Sequence, residues 1–144
     1  MTKKMRFALF TAILVLLMAS TVSAFALGIT VSNNSGLGSP ANVAFVYTDA
    51  STGTQTAKAW FKVPVGEVRS FELNADSDKP IYYAAYNKVQ FLDSATRGEK
   101  PIVRWASPHN FTFTGDYEPD ADGAWQAKFY PVGSSNTVNL NYTR

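Results

Sequence analysis

The chain has no cysteine and a single histidine, His109, among 144 residues. Without thiols there is no disulfide, no thiol redox centre, no cysteine-held zinc and no lipid-modified cysteine. One histidine without cysteine does not supply the usual ligand set of a closed zinc site. Charge is sparse, with Asp, Glu, Lys and Arg making up 17% of the residues. The N-terminal apolar stretch, residues 7–18 with Thr11 as its one polar member, falls short of the roughly 20 residues needed to span a bilayer as a helix. No window carries the apolar stripe of an amphipathic helix.

What is present begins at the N-terminus. Lys3, Lys4 and Arg6 precede the apolar run, and a small-residue stretch follows it. Within that stretch Val22-Ser23-Ala24 and Ala24-Phe25-Ala26 both fit an A-x-A-like cleavage site. The layout predicts a secretory signal peptide over residues 1–24, cut after Ala24 or Ala26, and a secreted or periplasmic protein of residues 25–144. Export without cysteine suits a bacterium. Three of the thirteen Lys and Arg residues fall in this leader and all eleven Asp and Glu fall after it, so the formal charge of +2 becomes −1 beyond residue 24. A near-neutral domain with scattered charges lacks the basic footprint that nucleic acid or an anionic membrane surface selects.

Period-two alternation dominates the rest. The clearest strands are residues 56–63, 109–114, 124–130 and 136–143. In the first, Ala57, Ala59, Phe61 and Val63 alternate with Thr56, Lys58, Trp60 and Lys62, which predicts one buried face and one wet face. Residues 42–48 and 80–86 are apolar or aromatic on both faces, which predicts central or doubly covered strands. Residues 28–32, 67–73 and 101–106 complete the set, with segments rich in Gly, Asn, Asp, Ser and Pro between them. Val63-Pro64-Val65-Gly66 fits a type I turn with Pro in second place, joining residues 56–63 to 67–73 as a hairpin. Residues 87–100 read as a short strand or one helical turn. The predicted fold is all-β, a single antiparallel β-sandwich or Greek-key barrel of about eight strands.

The stretch Ala59-Trp60-Phe61-Lys62-Val63-Pro64-Val65-Gly66-Glu67, followed by Ile81-Tyr82-Tyr83-Ala84-Ala85-Tyr86, resembles the bacterial domain-of-unknown-function family ten-thirty-six. The strand at residues 43–47 and the segment His109-Asn110-Phe111-Thr112-Phe113 fit the same order of elements. The resemblance covers about two thirds of residues 25–144 and implies a small exported protein. Members of that family often carry cysteines near the start and end of the region, and this chain has none. The family brings no activity and no catalytic residues to transfer.

Four features carry candidate chemistry. Trp60 falls on the Lys58/Lys62 side of its strand, where it either stacks on a sugar or peptide or is covered by a loop or second sheet. Tyr82 and Tyr86 share one face with Tyr83 opposite, which suits a recognition row or a sheet interior whose hydroxyls reach the rim. Glu118, Asp120 and Asp122, followed by Gly123, imitate the opening of a calcium loop. The imitation fails at its twelfth position, Phe129, which leaves a non-EF-hand calcium site or a solvated turn. His109 is in phase with Phe111 and Phe113, and no G-x-S-x-G elbow accompanies it.

These features favour a non-enzymatic binding module of the bacterial envelope or exterior, with Trp60, Tyr82 and Tyr86 as the contact surface. Its partner would be an envelope protein or glycan. One alternative is a small hydrolase using His109 or the carboxylates of Asp116, Glu118, Asp120 and Asp122. Another is a structural subunit that assembles through sheet edges.

Overall fold

In the computed structural model, residues 26–36, 38–87, 91–94, 100–107, 111–114 and 124–141 are described. They form ten strands in chain order: β1 (Leu27–Asn34), β2 (Ala41–Thr48), β3 (Gln55–Val63), β4 (Val68–Leu73) and β5 (Tyr82–Tyr86), then β6 (Phe91–Ser94), β7 (Ile102–Ala106), β8 (Phe111–Thr114), β9 (Trp125–Pro131) and β10 (Thr137–Asn141). No helix long and apolar enough to cross a membrane occurs among the described residues. The signal peptide expected over residues 1–24 lies outside them.

β2 and β5 sit in the middle because their sequences are apolar on both faces. Val43, Phe45 and Tyr47 of β2, with Tyr83 and Ala85 of β5, point into a first core. There they meet Ile29 and Val31 of β1, Leu73 of β4, and Val138 and Leu140 of β10. Ala44 and Val46 of β2, with Ala84 of β5, point the other way into a second core that Ala106 of β7 and Ala127 and Phe129 of β9 complete. The protein is thus an all-β sandwich in which β3, β2 and β5 form the inner layer. β4, β1 and β10 cover one face, and β7 with β9 covers the other. Burying both faces explains why these strands lack the polar alternation of half-exposed ones.

The first core holds a triad of rings. Phe45 lies 5.8 Å from both Phe61 and Phe71, centroid to centroid, and Phe61 and Phe71 are 4.9 Å apart. Such tilted pairs add roughly 0.5–1.5 kcal/mol each beyond area burial. Tyr47 is 1% exposed, and its hydroxyl has no hydrogen-bond partner among the described residues. An unpaired buried hydroxyl costs its full desolvation penalty. Tyr47→Phe is therefore expected to raise the melting temperature, with a gain of about 1 kcal/mol. A lowered melting point would show that the hydroxyl is satisfied.

Three expectations from the sequence are corrected. β1 and β10 pair in parallel, from Thr30↔Thr137 to Asn34↔Asn141. A parallel pair needs a long crossover, and here nearly the whole domain lies between the two strands. β3 and β4 do not form a hairpin: among the described residues β3 pairs with β2 and β8, and β4 with β1. The turn between them is shifted by one residue. The Glu67 amide donates to the Pro64 carbonyl at 3.2 Å, and Gly66 has φ +75° at the third place, as a type II turn requires. The chain thereby crosses from the inner to the outer layer.

The third correction concerns β3 itself. Val43 pairs with Phe61 while Phe45 pairs with Lys58, so Ala59 and Trp60 together face the single residue Ala44. This β-bulge inverts the alternation, because one extra residue swaps the faces of all that follow. Ala57 and Ala59 belong to the second core, whereas Phe61 and Val63 belong to the first.

The loop after β2 is fixed by Asp49. Its Oδ1 accepts the amides of Ser51 at 2.8 Å and Thr52 at 3.0 Å, and Oδ2 accepts Asn74 Nδ2 at 3.2 Å. Desolvation pushes the carboxyl up, but the Ser51 and Thr52 amides and the Asn74 and Thr52 side chains outweigh it and hold it below the ordinary aspartate value. A folded-state value below the unfolded one adds stability at pH above the unfolded value and loses it as pH falls through the folded value. Asp49→Asn should therefore be less stable than the parent near neutrality, and the gap should narrow as pH falls below the ordinary aspartate value. Urea midpoints measured across that range test this, and a gap that widens towards acid would contradict it.

Candidate functional site

The bulge in β3 decides where Trp60 goes. Its indole lies on the second-core face, alongside the small side chain of Ala44 on β2. Across β2, the alternation of β5 puts Tyr82, Ala84 and Tyr86 on this same face and Tyr83 on the opposite one. Trp125 opens β9, two and four residues before Ala127 and Phe129, and joins them there.

Three rings therefore converge. Trp60 is 6.0 Å from Tyr86 and 6.1 Å from Trp125, with the two indole planes 8° apart. Tyr86 is 6.4 Å from Trp125. Trp60 Nε1–H donates to the Ser107 carbonyl at 2.8 Å, just past the end of β7. The rings come from three strands in two layers, and that hydrogen bond ties the layers together. Each ring is only half-buried, so it presents apolar area to solvent in a fixed orientation.

Of the residues singled out in the sequence, Trp60 and Tyr86 are brought together. Tyr82 packs against the second core on the same face, four residues along the strand from Tyr86; at about 3.3 Å per residue it stands roughly 13 Å away. The second sheet that would cover Trp60 exists as β7 and β9, and it covers the ring in part. Trp125 is the member that sequence reading missed. Its period-two spacing from Ala127 and Phe129 is the signal that places it on this face.

His109, Asp116, Glu118, Asp120 and Asp122 lie outside the described residues, and with them the calcium and hydrolase readings. Among the described residues, no group of three or more His, Asp or Glu side chains is placed to hold a metal ion.

Fold and site together define a three-layered, cysteine-free all-β protein with an aromatic face. The chain matches no family model, no curated protein and no solved structure.

Proposed function

We propose that this protein is an exported, non-enzymatic binding module whose contact surface is the aromatic face of Trp60, Tyr86 and Trp125, extended along β5 by Tyr82. The observation that carries the reading is the convergence of three half-buried rings held by a backbone hydrogen bond. Rigid aromatic side chains bring large contact area at low entropic cost, which is why Trp and Tyr dominate binding hot spots. The partner is an envelope protein or glycan: both offer apolar faces edged with polar groups, and the near-neutral charge beyond residue 24 disfavours nucleic acid. The leader-like residues 1–24 support a secreted or periplasmic setting.

The test is affinity capture from native envelope and medium with tagged residues 25–144, followed by binding of the recovered partner to variants. Tyr86→Ala and Trp125→Ala, checked for folding by thermal melts, are expected to weaken binding by roughly tenfold or more. Unchanged affinity in folded variants would place the contact surface elsewhere. Capture of nothing above background would count against a binding module altogether.

A further inference from the structure

β9 belongs to two layers, and the inner layer splits where it leaves. At its C-terminal end it pairs with β5, Tyr130 against Tyr83 and Pro131 against Tyr82. From Phe129 back to Trp125 it pairs instead with β7. β5 meanwhile continues to Ala85 and Tyr86, which pair with Leu92 and Phe91 of β6. The two strands thus form a wedge, closed at Tyr83/Tyr130 and opening towards Gln126. A cavity of about 290 Å³ occupies it, lined by Tyr83, Ala84 and Ala85 on one side and Gln126, Ala127, Lys128 and Tyr130 on the other.

Among the described residues the wedge carries an unpaired hydrogen-bonding edge. The Val132 amide donates to Ile81 at 2.7 Å, which sets the phase of β9. In an antiparallel pair alternate residues point their N–H and C=O to the same side. Residues 132, 130, 128 and 126 therefore aim theirs at the β5 side, and residues 129, 127 and 125 aim theirs at β7. Beyond Tyr130 no strand partner for that edge exists among the described residues. Ala84, Ala85 and Ala127 form the floor of the wedge and are at most 2% exposed, so its accessible wall is that of Gln126, Lys128 and Tyr130. Among the described residues Lys128 is the one charged residue lining the wedge, and it has no ion-pair partner there.

We propose that this wedge binds the C-terminal residues of an extended polypeptide, with the terminal carboxylate at Lys128. A small molecule offers one or two groups to the main chain of Gln126 and Lys128, whereas an extended chain offers alternating donors and acceptors in strand register. The wedge closes at Tyr83/Tyr130, so a strand running in must end there. The cation two residues from that apex selects a carboxylate over an ammonium, which fixes the direction: parallel to β9 and antiparallel to β5. The outer edge of β4 is a poorer template. Val68 is exposed there, but so is the ion pair of Arg69 with Glu67, and charge on an edge strand blunts edge pairing.

Short random peptides with free C-termini, selected on the full chain, test the proposal. Selected peptides should lose about tenfold or more in affinity on C-terminal amidation, and equally on Lys128→Gln, while Lys128→Arg keeps most of it. Lys128 is exposed, so these variants should melt with the parent. The main-chain amides of Gln126 and Lys128 should become protected from hydrogen exchange in the complex. No enriched peptide, equal binding of amidated and free forms, or full binding to Lys128→Gln would each overturn it.

Discussion

Trp60→Ala is expected to destabilise the protein by about 3 kcal/mol, the lower end of the range for truncating a buried Trp, because the indole is only partly buried. Two losses add up. The contacts with Tyr86 and Trp125, at 6.0 Å and 6.1 Å, disappear. The carbonyl of Ser107, a residue only 5% exposed, also loses the indole N–H that it accepts at 2.8 Å. Trp60→Phe separates the two, since it keeps a ring and removes the donor; it should cost about 1 kcal/mol. Chemical denaturation of both variants checks this. If Trp60→Ala unfolds at the parent's midpoint, the ring does not join β3 to the β7–β9 layer. The same dependence explains why binding is tested at Tyr86 and Trp125, whose truncation leaves that hydrogen bond in place.

Asn33→Leu should cost still more, about 4 kcal/mol, because three buried hydrogen bonds are lost together. Asn33 is fully buried. Its Nδ2 donates to the Val63 carbonyl at 2.9 Å, and its Oδ1 accepts the Ser35 amide at 3.2 Å and the Ser35 hydroxyl at 2.7 Å. Its main chain adds two more bonds, donating to Glu67 at 3.0 Å and accepting from Gly66 at 2.8 Å. One residue of β1 thus clasps the turn that carries the chain from β3 to β4. Leucine has the same number of side-chain heavy atoms branched at the same carbon, and supplies neither donor nor acceptor. Urea unfolding gives the loss directly, and a cost below about 1 kcal/mol would mean that the turn holds itself. The turn leads out of the bulged strand, so a shift there should also appear as a changed fluorescence of Trp60.

Much of the layering is legible in the sequence. Residues 42–48 and 80–86 read as doubly covered, and β2 and β5 are buried on both sides for that reason. Tyr82 and Tyr86 share a face opposite Tyr83, as period two requires. Two members of the aromatic cluster could thus be named from the sequence, though not the contact between them. Residues 56–63 show where such reading stops. Alternation there is unbroken, yet the bulge at Ala59 and Trp60 sends Ala57 and Phe61 to different cores. A bulge is set by the partner strand, here by Ala44 standing against two residues, and the partner is not written in the strand itself.

The sequence by itself determined that this is an all-β chain without cysteine chemistry, where most of its strands lie, and which of them are central. Those properties follow from local backbone preference and from which side chains water rejects, and both are carried by residues close together in the chain. Tertiary structure alone decided that β1 and β10 run in parallel, that β3 leads out of its layer, that Trp125 completes the ring cluster and that β9 parts from β5 to open a wedge. Each of these is a pairing between segments far apart in the chain. Pairing depends on complementary edges and on the space left between layers, which no single segment encodes.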